Sequence, residues 1–147
     1  LDMAKTYKAI GDDKKSMELL VDLAKKHAND PDICMKIDAM SDEPITEHGK
    51  RKAIELNQTG KKLFADKEFN KAIQLFSQAL MHYPNNAGLN LNLMLALVKK
   101  MTVDGCSTRG IARGREAAEK LAHLESGHML YDRFQAVNAH LEKMAQK

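Results

Sequence analysis

Four sets of residues in this 147-residue sequence are of types that do chemistry, at spacings worth testing. Gly105-Cys106-Ser107-Thr108-Arg109-Gly110 has the two glycines of a phosphate-cradling loop at the right interval. In such a loop, backbone N–H groups wrap the phosphate and a following Lys and Ser or Thr complete the site. Ile111-Ala112 stand in those places and no strand pattern precedes, so the motif is incomplete. Asp12-Asp13 offers paired carboxylates, but directly after Gly11 it reads as a turn and a helix cap. The six histidines lie at 27, 48, 82, 123, 128 and 140, and only His123 and His128 are close, with Gly127 interrupting any shared helix face. Cys34 and Cys106 stand alone, without the short-spaced partners that a zinc site or a disulfide framework needs. Both read as buried or partly buried free thiols of a reducing compartment. No Ser, His and Asp arrangement appears. The expectation is a protein that is not an enzyme and holds no metal or cofactor.

Lys99, Lys100, Arg109, Arg113 and Arg115 form the most basic cluster. Such cations can contact nucleic-acid phosphates, and a helical nucleic-acid binder using the 109–115 segment is the alternative function. No aromatic platform is interleaved and the formal net charge is only +3, which disfavours it. The charge is uneven: it sums to −4 over residues 1–48, +4 over 49–98 and +3 over 99–147. No run reaches the roughly 18 to 20 apolar residues of a membrane span, and no basic-then-apolar leader is visible, so a cytoplasmic chain is expected. It opens at Leu1 rather than at Met and reads as a fragment of something longer.

The elements that position these residues are helical throughout. Gly11-Asp12-Asp13 separates helices over 2–10 and 13–28, Asn29-Asp30-Pro31 leads into a short helix with Ile33, Ile37 and Met40 on one stripe, and Ser41-Asp42-Glu43-Pro44 breaks the chain. Thr46 is positioned to cap a helix to about Ala65, whose first turn Gly49 weakens, and a second helix spans 68–82 before Pro84. Leu89, Leu91, Leu93, Leu95 and Leu97 alternate as a strand would. Met94 and Ala96 fill the gaps, however, and these are helix formers, so 87–102 reads as a helix that is apolar nearly all round and central to the fold. Ser107 or Thr108 caps a helix over 108–125, and 128–145 closes the chain with Leu130, Phe134, Val137, Leu141 and Met144 on one face. That closing helix, or a second subunit, must cover the stripe of Leu91, Leu95 and Val98. The helix is favoured because its stripe matches in length, and the chain is expected as a monomer or a homodimer.

Leu56, Gly60, Leu63, Phe69, Ala72, Phe76, Ala79 and Pro84 recur at the intervals of a helix–turn–helix tetratricopeptide (TPR) unit. Small residues let two antiparallel helices approach while large ones fill the space between them. The chain resembles the TPR family over most of its length, from about 1 to 145, most specifically in this unit. The resemblance implies one all-α domain over 1–147, a right-handed superhelical stack of antiparallel hairpins: a divergent repeat at 1–30, a spacer helix at 31–45, the clear repeat at 46–85, a degenerate repeat at 86–126 and a capping helix at 127–147. The order of these parts, with Lys52-Ala53-Ile54-Glu55-Leu56-Asn57-Gln58-Thr59-Gly60 leading into the clear repeat, is similar to the TPR region that follows the receiver domain of bacterial response regulators.

That resemblance implies a scaffold in two-component signal transduction that binds a protein or peptide partner on a concave face. Asn57, Lys61 and Phe64 would line the face on one repeat, and Asn92 on the next. Amides suit an extended peptide because each both donates and accepts, and Lys61 meets a carboxylate. The Lys and Asn carboxylate clamp of chaperone-binding TPRs is matched only in part, since Asn57 and Lys61 come in the wrong order and no second base stands opposite Asn92. A plainer reading makes Asn57 and Asn92 an interhelical hydrogen bond.

Overall fold

The computed structural model describes residues 2–41 and 44–146, so Asp42 and Glu43 of the predicted chain break lie outside the described residues. The described chain is all-α: α1 (Asp2–Ala9), α2 (Asp13–Lys26), α3 (Pro31–Ala39), α4 (Glu47–Ala65), α5 (Phe69–His82), α6 (Ala87–Asp104), α7 (Thr108–Leu121) and α8 (Tyr131–Ala145). No strand forms among the described residues, so the alternating leucines of α6 are helical. No helix among them is long and apolar enough to cross a membrane.

Local chemistry sets the ends of these helices. Asp12 caps α2 by accepting from the Lys15 N–H at 3.2 Å, and Asp30 caps α3 by accepting from the Ile33 N–H at 3.3 Å, with Pro31 in the first turn. Ser107 caps α7 by accepting from the Gly110 N–H at 3.0 Å. Gly105, at φ 97°, ends α6 two residues beyond the predicted stop, a conformation that glycine adopts without steric cost. Helix α7 stops at Leu121 instead of 125 and α8 starts at Tyr131 instead of 128. Between them single-turn bonds, Leu124 N–H to Leu121 O and His128 N–H to Glu125 O, replace the helical ladder, and His128 Nδ1 takes the Leu130 N–H.

The chain divides into two compact units, and the division falls inside α4. The first runs to Glu55 and takes in His82–Asn86. Its core is Ala4, Leu20 and Ile37, with Leu23, Ile33 and Ile45 packed against them, so the predicted spacer at 31–45 is an integral part of a core. Ser16 ties α2 to α1 by donating to the Ala4 carbonyl at 2.9 Å. The buried Asp38 is the polar centre of the unit. Its Oδ1 accepts from the N–H groups of Ile45 at 2.7 Å and Thr46 at 3.0 Å, and its Oδ2 accepts from the Thr46 hydroxyl at 2.6 Å. Thr46 in turn accepts from the Gly49 N–H at 2.9 Å, which is the predicted cap of α4. Gly49 does more than weaken that turn: a Cβ there would stand 1.8 Å from Asp38 Oδ2.

Tyr83 is buried in the same unit, and Asn85 Nδ2 donates to the Ala39 carbonyl at 3.1 Å. Burial raises the Tyr83 hydroxyl above its ordinary value of 10.0, and Asp38 and Cys34 push the same way. The fold therefore favours neutral tyrosine. This contribution to stability is whole below pH 10.0 and is lost as pH rises through the higher folded value. An ultraviolet titration of Tyr83, with the other tyrosines Tyr7 and Tyr131 replaced by phenylalanine, should show a midpoint above that of free tyrosine. A midpoint at the free value would contradict the burial.

The second unit comprises Leu56–Met81 and the chain from Ala87 onward. Helix α6 is buried along most of its length, including Leu91, Leu93, Met94, Leu97 and Val98. Helices α7 and α8 both pack on it and on each other, and of the predicted stripe Leu91 and Val98 are buried while Leu95 is half-buried. Gly114 allows α7 and α8 to come close, since a Cβ there would meet both Leu141 methyls at 3.0 Å. Arg115 donates to both Glu142 oxygens, at 3.2 and 3.0 Å. That hydrogen bond, aided by the opposite charge, lowers the Glu142 carboxyl and raises Arg115.

Candidate functional site

The predicted binding residues converge within the second unit. Asn57 and Lys61 are one turn apart on α4 and Phe64 follows three residues later, so all three share one helical face. Asn92 and Leu95 do the same on α6. Asn92 Nδ2 donates to Asn57 Oδ1 at 2.8 Å, which is the interhelical bond of the plainer reading. The bond uses one donor of Asn92 and one acceptor of Asn57, so it fixes both amides without exhausting them.

Directly beside this bond lies a pocket of about 160 Å³ lined by Gly60, Lys61, Phe64, Phe76, Asn92, Leu95 and Arg133, with Ala65 at its edge. Gly60 makes the pocket possible, because the Phe76 ring passes under it where a side chain would otherwise be. Phe64 is held edge-on against Phe69, with ring centroids 5.3 Å apart and planes at 68°. The floor is thus aromatic and aliphatic, and the rim carries two cations and an amide. Neither Lys61 nor Arg133 makes a salt bridge among the described residues.

Three of the four predicted residues therefore line one pocket, and Asn57 supports it from behind. Arg133 is the residue that sequence reasoning missed. It precedes Phe134 on α8, and only the apolar stripe of that helix was legible as a pattern; the clue was that a helix closing over α6 brings its flanking polar residues to the rim. Arg133 adds a second cation to the lining, beside Lys61. A cavity this size accepts a benzene-sized group. The arrangement can hold one apolar side chain together with an adjacent anionic group.

The basic 109–115 segment divides. Arg115 is engaged by Glu142, whereas Arg109 and Arg113 line a separate cavity at the junction of α6 and α7. Cys34 is buried as expected, but Cys106 is exposed, because the α6–α7 turn that carries it lies at the surface. Among the described residues no cluster of His, Cys, Asp and Glu is placed to hold a metal ion. Comparison with protein-family models, with curated proteins and with solved structures gives no match for this chain.

Proposed function

We propose that this chain is a protein-docking module in which α4–α5 and α6–α7 act as two TPR-like hairpins closed by α8. The pocket of Lys61, Phe64, Asn92 and Arg133 is its peptide site. The partner inserts an apolar side chain over Phe76 and Leu95, and its neighbouring carboxylate meets Lys61 and Arg133, while Asn92 bonds the peptide backbone. The observation that carries this reading is the convergence of two unpaired cations and an oriented amide over an apolar floor. Lined in this way, the pocket offers recognition. The same reading makes the chain the output or adaptor region of a two-component response regulator, in keeping with the order of its parts.

The test is selection from a displayed library of short random peptides, followed by titration of the best sequences. Enrichment of an apolar residue beside an acidic side chain or a free C-terminus is expected. Lys61→Met and Arg133→Met should each weaken binding about tenfold, the worth of a charge-assisted hydrogen bond, with unchanged helical circular dichroism. Peptides that bind both variants as tightly as the parent would place recognition elsewhere.

A further inference from the structure

The second cavity of this unit has a chemistry of its own. It measures about 390 Å³, within the range of about 300 to 1,000 Å³ typical of small-molecule sites. Ile73, Leu97 and Met101 give it an apolar floor, and Lys100, Arg109 and Arg113 line its rim. Asp104 is the one acidic residue in the lining, which leaves a formal excess of two positive charges. None of the three cations makes a salt bridge among the described residues.

Fold stability accounts for only some of these charges. Arg113 Nη2 donates to the Ser77 hydroxyl, which holds its guanidinium in place, whereas Lys100 stands before the last turn of α6, where the helix dipole gives a cation little. Arg109 has no such role. It sits in the first turn of α7, where the dipole disfavours a cation and where no acidic residue offsets it. Arg109 and Arg113 are four residues apart, so both project from one face of α7 to the same rim. This arrangement concentrates positive charge beside an apolar surface and leaves it uncompensated.

We infer that this cavity binds a small phosphate monoester with a flat apolar body, of the nucleoside monophosphate class. A phosphate monoester carries about −1.5 to −2 charge at neutral pH, which balances the excess of two. Guanidinium forks bond phosphate oxygens in pairs, and a carboxylate would supply only half of the charge. The base or ring lies on Ile73, Leu97 and Met101. The site is distinct from the peptide pocket, so either can fail without the other.

Calorimetric titration with adenosine monophosphate, adenosine and inorganic phosphate at low salt tests the inference. The monophosphate should bind at one site, more tightly than inorganic phosphate, and adenosine should give no saturable heat. Lys100 and Arg109 make no side-chain hydrogen bond among the described residues, and Lys100→Gln and Arg109→Gln should each weaken the monophosphate about tenfold. Lys61→Met and Arg133→Met should leave it unchanged. Absence of saturable binding, binding indifferent to the Lys100 and Arg109 variants, or adenosine binding as well as its monophosphate would overturn the inference. So would a single-stranded oligonucleotide that binds with a salt slope of more than about three ions and is not displaced by the monophosphate, an outcome that marks a nucleic-acid track.

Discussion

Gly60→Ala should destabilise the second unit by about 3 kcal/mol, whereas the same change in an unconstrained helix interior is stabilising by roughly 1 kcal/mol. The sign reverses because of one contact. A Cβ at position 60 would lie 2.2 Å from Phe76 Cζ and 2.4 Å from Cε1, distances at which atoms overlap. The ring can yield only toward the pocket that it lines, since Phe76 is buried on α5 between Ala72 and Ala79. Interiors packed at crystal density pass such strain on to their neighbours. Urea unfolding of Gly60→Ala measures the loss. Phe76→Leu in the same chain should restore more than half of it, a coupling that a double-mutant cycle isolates. If Gly60→Ala were as stable as the parent, α4 and α5 would have to stand further apart than described.

Asp38→Ala is the second change of large expected effect, about 3 to 5 kcal/mol in the first unit. The substitution removes the acceptor of three hydrogen bonds at once: a half-buried one from the Ile45 N–H, and buried ones from the Thr46 N–H and the Thr46 hydroxyl. Donors left dry each carry their full desolvation penalty. The entry into α4 should loosen first, because Thr46 loses the partner that orients it as a cap. Amide exchange at Ile45 and Thr46 should accelerate more than exchange in α2, and the urea midpoint should fall. Asp38→Asn keeps one acceptor oxygen and should lie between the parent and Asp38→Ala. Equal exchange rates at Ile45 and Thr46 in the parent and Asp38→Ala would show that the carboxylate does not hold this turn.

Much of this fold was legible in sequence because the signals are local. Caps such as Asp12 and Ser107 and the apolar stripe of α8 each depend on residues a few positions apart. The pairing of Asn57 with Asn92 was legible too, since both stand on helices due to be neighbours. Asp38 was not. A carboxylate on a short helix, beside its apolar stripe and not part of it, reads as solvated, and its burial is evident only once the turn at Ile45 and Thr46 folds over it. Gly49 was read by its propensity alone, yet its lack of a side chain makes room for that carboxylate. Arg133 was invisible for the opposite reason: its own helix was plain, but a rim position depends on contacts with α4 and α6, some 40 to 70 residues earlier.

The burial of α6 also has a meaning in time. Its leucines are made before either of the helices that cover them, because α7 and α8 both follow it in the chain. The 41 residues from the end of α6 at Asp104 to the end of α8 at Ala145 take about 2 to 8 s to synthesise at ordinary rates of translation. Individual helices form in under a microsecond and pairs of them dock within milliseconds, so the wait is imposed by the ribosome and not by folding. For those seconds the growing chain presents Leu91, Leu97 and Val98 without their later cover. The order of the helices thus makes the nascent polypeptide, more than the finished one, the form that calls for a chaperone.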